Sequence, residues 1–174
     1  MKKLSFLGAF FLMQINLFAQ SPETPTLEFV CELNVLIDKA LVVGETAHGT
    51  RRIVPIKGGT FKGPKIKGEI INGGADWQVV RADGVTEVEA HYDLRTDDST
   101  VIYIKNVGLR VATPEVAARI AKGEKVSPTE YCFRTVLKFE APKNSKYDWL
   151  NNAIFICKAI RMPDYVAIQV WKVL

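Results

Sequence analysis

The 174-residue chain is 48% hydrophobic and 24% charged, with 12 Gly and 8 Pro, a composition that excludes disordered and collagen-like classes and suits one folded domain. Residues 1–19 read as a secretory signal peptide, with Lys2 and Lys3, an apolar run from Leu4 to Leu17, and Ala19 as the small residue at the cleavage position. The remaining residues 20–174 carry 21 Lys and Arg against 19 Asp and Glu, a near balance that argues against a nucleic-acid partner, and no other stretch reaches the roughly 18 apolar residues of a membrane helix.

In chain order, Leu27, Phe29, Cys31, Leu33, Val35 and Ile37 alternate with Glu28, Glu32, Asn34 and Asp38, the period of a half-buried strand. Residues 41–58 form a second pattern, interrupted by Gly44, Gly49 and Pro55. Residues 66–72 and 77–82 follow, parted by Asn72-Gly73-Gly74, and Asp83-Gly84 is a hairpin turn because glycine takes positive φ without steric penalty. The next strand sets Val88, Ala90, Tyr92 and Leu94 against Glu87, Glu89, His91 and Asp93. Thr96-Asp97-Asp98-Ser99 closes it, and residues 101–111 make a further strand.

One short helix interrupts the pattern, with Thr113 as N-cap, Pro114 at the first helical position, Val116 and Ile120 on one face and Gly123 as the stop. Strands at 131–140, 153–160 and 165–174 complete the chain. Roughly nine short strands with one helix predict an antiparallel all-β domain, since parallel strands need a crossover at almost every step. Seven glycines between Gly58 and Gly84 mark bulges and corners. They favour a single closed β-barrel of eight to ten strands over a sandwich. The three cysteines, Cys31, Cys132 and Cys157, sit in apolar runs and read first as buried small hydrophobes, with one bridge as the alternative.

The segments beginning at Arg52 (RIVPIKGGTFKGP), Gly73 (GGADWQVVRADG) and His91 (HYDLRTDD), then Tyr131 (YCFRT), Phe139 (FEAP) and Tyr147 (YDWLN), strongly resemble domain-of-unknown-function family 3237, also known as uncharacterised protein family 0311. The likeness spans residues 27–174. It implies a small closed barrel with a ligand-sized interior and assigns no general activity. Two positions depart from the family pattern: His91, where Arg is more usual before the Tyr, and Ser99, where Gly is common.

Several residues have the chemistry of a site. If the barrel interior takes Trp77 and Arg81, it gains an apolar wall with one fixed cation suited to an oxyanion. The alternative leaves Arg81 pairing with Asp83 or Glu87 on the surface and Asp76 closing the turn. Tyr92 lies on an apolar face, so its hydroxyl needs a partner or a ligand. Glu140, at a family motif position beside Phe139, would have a base's raised pKa if it sat at the barrel rim. Asn151 offers a donor and an acceptor for a ligand oxygen or a turn. His91, among acidic neighbours, reads as solvated surface. His48, with Arg51 and Arg52, would suit an anion at the barrel mouth.

No Walker loop, GxGxxG, GxSxG, HExxH or CxxC is present in the sequence, so neither an organic cofactor nor a metal is expected. Two functions follow. The first is a cofactor-independent enzyme, a lyase, isomerase or hydrolase acting on a small oxygenated molecule. In it Glu140 or Asp76 is the base, Tyr92 the proton donor, and Arg81 with Asn151 holds the oxyanion. The second is a periplasmic barrel that binds a small ligand between Trp77, Tyr92 and Phe133 without catalysis. Either would be exported, with no membrane span in the mature chain, and the sequence is compatible with a homo-oligomer.

Overall fold

The computed structural model describes residues 22–174, so the signal-peptide expectation lies outside the described residues. Among the described residues there are ten strands: β1 (Leu27–Ile37), β2 (Leu41–Thr46), β3 (Gly49–Lys62), β4 (Lys67–Ile70), β5 (Ala75–Val80), β6 (Thr86–Thr96), β7 (Val101–Val111), β8 (Cys132–Glu140), β9 (Phe155–Arg161) and β10 (Tyr165–Val173). All pair antiparallel. The order β1-β10-β9-β8-β7-β6 continues through β4 and β5 to β3, which returns to β1 and closes the sheet. The result is an eight-stranded barrel with two extra strands. β4 and β5 lie along successive parts of β3, and β2 borders β3 beyond the end of β1.

The region expected as one interrupted strand is two. Its second part runs on through Pro55 and past residue 58 to Lys62. Pro55 donates no ladder bond, yet its carbonyl accepts from Asp38 N at 2.9 Å. Gly59 makes the continuation geometrically feasible: at φ +136° it lies so close to β1 that a Cβ would stand 2.0 Å from Asn34 O. That contact is the seam of the barrel, and only glycine fits it.

Helix α1 (Pro114–Ala121) starts where Thr113 Oγ1 accepts from Val116 N at 3.4 Å, and ends at Gly123 with φ +80°. Its Ala117 and Ile120 are buried and join the barrel core. A 3-10 turn at Asp148–Asn152, absent from the sequence reading, closes the other end of the barrel by burying Tyr147 and Leu150.

The interior is divided in two along the barrel axis. Towards the 3-10 turn it is apolar apart from Thr96 and the Tyr147 hydroxyl, filled by Leu33, Phe61, Leu94, Ile102, Ile104, Phe139 and Phe155, with the Phe139 and Phe155 rings edge to face at 4.9 Å. Towards α1 the same inward rows end in polar residues: Arg52 and Gln78, Thr86 and Arg110, Thr135 and Arg161.

Two local features carry expected outcomes. Cys31 and Cys157 are buried, with thiols pushed up to about 12 by burial, while Cys132 is exposed. Both buried cysteines pair with Val170 from opposite sides, so two strand spacings of about 4.8 Å separate them, more than a disulfide spans. Titration of the native protein with a thiol reagent is expected to find one fast thiol, Cys132, and two more only on unfolding. Ser99, in the β6–β7 turn, sits at φ +68°, where a side chain is strained. Ser99→Gly is expected to stabilise by about 0.5–1 kcal/mol, read by chemical denaturation.

Candidate functional site

The polar end of the barrel is built around Asp76. β5 enters the sheet from Gly73-Gly74 so that Asp76 and Gln78 point inwards and Trp77 outwards. Asp76 Oδ2 accepts from Gln78 Nε2 at 2.5 Å, and Oδ1 accepts from the backbone N–H of Glu89 at 3.1 Å. Gln78 Oε1 in turn accepts from Arg52 Nη2 at 2.6 Å. The three side chains form a continuous relay, Arg52 to Gln78 to Asp76. Burial raises the Asp76 pKa, and the donated hydrogen bonds with the charges of Arg110 and Arg52 only partly offset it.

Two further guanidiniums share this end. Arg110, 1% exposed, donates from Nη2 to Thr86 Oγ1 at 3.1 Å and lies 5.9 Å from the centre of the Phe133 ring. Its pKa falls to about 10 through burial, reinforced by the charges of Arg52 and Arg161. Arg161 closes β9, where its backbone N–H donates to Tyr131 Oη at 2.9 Å. Its pKa is likewise lowered by burial and by Arg52.

An inner cavity of about 40 Å³ is lined by Asp76, Gln78, Tyr92, Asn106, Thr135 and Arg161, with apolar walls that include Phe133. Around it, polar atoms are buried without partners: Tyr92 Oη, Asn106 Oδ1, Thr135 Oγ1, Arg52 Nε, Arg110 Nε and Arg161 Nη1. Tyr92 nonetheless lies within hydrogen-bond reach of Asn106, and Thr135 of Cys157, whereas the three arginine nitrogens have no acceptor among their neighbours. Buried polar groups are nearly always bonded, so these donors mark a site arranged for something other than its own side chains. Burial also pushes the Tyr92 hydroxyl well above its ordinary pKa. It therefore holds its proton and serves as a donor. A second cavity of about 480 Å³ opens from Arg52 outwards between Val42, Val80 and the Pro114, Ala117 and Ala121 side of α1. Arg52 lines this vestibule and, through Gln78, borders the inner cavity.

Of the residues singled out in the sequence, Asp76, Tyr92 and Phe133 meet in this interior. The others do not. Trp77 is 39% exposed on the outer wall, its ring edge to face with His91 at 5.5 Å. Arg81 lies at the vestibule rim, exposed, with Asp83 at 2.6 Å and Glu87 at 3.7 Å. Of the two readings of Arg81, the surface pairing with Asp83 and Glu87 is the one observed, and strand alternation that turns Asp76 and Gln78 in must turn Trp77 out. Glu140 is exposed at the apolar end, paired with Lys138 at 3.5 Å. Asn151, also at that end, ties a loop by accepting from Ala141 N at 2.8 Å and donating to Ala141 O at 3.0 Å. His91 is on the outer wall, hydrogen-bonded to Tyr103 and to Glu89. The sequence reading missed Arg110 and Arg161 and noted Arg52 only beside His48. Each terminates an inward-facing row, and that position was the available signal.

A closed antiparallel barrel with an apolar base and a basic, partly unsatisfied mouth defines this protein's class. The model of the family described as "Protein of unknown function (DUF3237)" matches residues 25–173, and the chain belongs to that family. A UPF0311 protein of Rhodopseudomonas palustris is 40% identical over 153 residues, covering 87% of this chain and 99% of its own. The crystal structure of a conserved protein of unknown function from the same species superposes with a TM-score of 0.82 at 36% identity, covering 88% of this chain and all of the other. A hydroalkoxylation enzyme of Penicillium herquei is 25% identical over 171 residues, 98% of this chain and 99% of its own.

Proposed function

We propose that the protein is a cofactor-independent enzyme that moves protons on a small oxygenated molecule held in the barrel mouth, in lyase, isomerase or hydrolase chemistry. One observation carries the reading: a carboxyl group with a raised pKa faces a cavity rimmed by unpaired donors. With its pKa raised by burial, Asp76 is a general base facing the cavity. Tyr92, protonated and set beside Asn106, donates to the oxygen on which charge develops, and the arginines stabilise that charge. The Penicillium relative named for hydroalkoxylation supports the reading, because adding an O–H across a double bond is proton-transfer chemistry that needs no redox partner. The apolar run from Leu4 to Leu17 supports a reaction outside the cytoplasm, and N-terminal sequencing of the mature protein is expected to begin at Gln20.

The test is deuterium incorporation. A panel of unsaturated acids, β-keto acids and phenols is incubated with the protein in D₂O and read by mass spectrometry. Wild type is expected to label at least one compound, and Asp76→Asn to lose that labelling. Binding of panel compounds with no exchange in any of them, or labelling that survives Asp76→Asn, overturns the assignment and favours a binding barrel.

A further inference from the structure

We infer that Arg52, Arg110 and Arg161 form an anion-binding site for the carboxylate of an amphipathic monoacid whose apolar body occupies the vestibule beneath α1. The inference rests on the interior being the substrate site and names the class of molecule that enters it.

Charge is the first argument. Three guanidiniums sit at one end of the barrel, and Asp76 is the one carboxylate among the residues lining the inner cavity. Asp164 reaches Arg161 only from the β9–β10 turn. Each arginine is partly stripped of water, and Arg52 is close enough to both others to lower their pKa values. Burying uncompensated charge is costly, so a fold keeps such a cluster for a ligand that balances it.

Geometry is the second. Arg52 Nε, Arg110 Nε and Arg161 Nη1 are all buried without acceptors. Arg110 is held from behind by Thr86 and the Phe133 ring, leaving its Nε edge free. Guanidinium edges match a planar pair of oxygens. A cavity of about 40 Å³ takes one small polar group and no more.

The vestibule supplies the third argument. Its 480 Å³ are walled by Val42, Val80, Pro114, Ala117, Ala118 and Ala121, with Arg52 as the inward charge and Lys39 and Arg81 also on its lining. Small side chains on the helix leave room for a body rather than filling it. A ligand with its acid at the arginines and its carbon skeleton under α1 satisfies both compartments at once, whereas inorganic phosphate would leave the apolar walls empty.

Calorimetry with benzoate, benzamide and inorganic phosphate tests this on the 20–174 protein as folded. Benzoate is expected to bind, with benzamide and phosphate at least tenfold weaker. Arg52→Gln and Arg161→Gln should each weaken benzoate at least tenfold, while Arg95→Gln, an outer-wall arginine paired with Glu69 at 2.7 Å, should not. Ala118→Phe, on the exposed side of α1, narrows the vestibule without touching the core, and should weaken benzoate more than acetate. Benzamide binding as well as benzoate, phosphate binding more tightly, or unchanged affinity in both arginine variants would each overturn the site. Deuterium labelling abolished by Asp76→Asn would stand even then. Conversely, benzoate binding without any labelling would sink the acid/base reading and leave the anion site intact.

Discussion

Asp76→Asn is expected to lower proton exchange by about 10²–10⁴-fold, the usual contribution of a positioned general base, while its stability gains on that of wild type as the pH rises. The sign follows from linkage. Burial raises the Asp76 pKa above its ordinary 3.8, so between the unfolded and folded values the folded protein holds a proton that the unfolded chain has released. Its contribution to stability is therefore present at low pH and lost as pH rises through the folded pKa. Exposed carboxylates do the reverse. Asp83, Glu89 and Glu130 have lowered pKa values from hydrogen bonds and basic partners, and their contribution is lost as pH falls. Asparagine carries the charge of the protonated acid at every pH. Its amide requires Gln78 to turn, which takes the acceptor from Arg52 at a pH-independent cost on the order of 1 kcal/mol. Urea denaturation at several pH values is thus expected to show the variant gaining on wild type from acid to neutral pH. The opposite trend would identify Asp76 as a stabilising counter-ion of the arginines rather than a base.

The same residue shows how far the sequence could be read. The strands were legible because their apolar faces alternate cleanly, as along Ile102 and Ile104 or Phe133 to Phe139, and the glycines betrayed the curl, with Gly59 at the closing seam. The site was half legible. Hydrophobic alternation identifies the inner face only where the interior is apolar, and at the mouth the interior is polar. On β5 the inward residues are Asp76 and Gln78 and the outward one is Trp77, so assigning the larger aromatic to the inside inverts the strand. Glu140 and Asn151 misled differently: both lie where the chain leaves the apolar end of the barrel, and neither strand period nor motif position says which end of a barrel is open. The arginines were within reach. Asn106 and Arg110 continue the inward row of Ile102 and Ile104, and Arg161 continues that of Phe155, Cys157 and Ala159. A charged residue ending an otherwise buried row is a stronger pointer to a site than an exposed one with a charged neighbour in sequence.

Arg110→Met should separate folding from binding most sharply. Arg110 is almost fully buried, its one hydrogen bond goes to a neutral hydroxyl, and Arg52 and Arg161 repel it. Methionine retains most of the length and packs against Phe133, while removing a desolvated charge. Replacing buried charge by a well-packed apolar side chain is commonly neutral or stabilising. The ligand-free variant is therefore expected to gain roughly 1–3 kcal/mol, a rise of about 3–10 °C in Tm for a domain of this size. Thr86 loses its partner, but a threonine hydroxyl can rotate towards a strand carbonyl, so its share of the cost is small. Benzoate, which should raise the Tm of wild type, is expected to leave that of the variant unchanged. A protein made more stable and unable to hold an anion would show that Arg110 is kept against the interest of the fold. A loss of more than about 3 kcal/mol would instead mean that Asp76 depends on it, since breaking a buried pair leaves a bare charge behind.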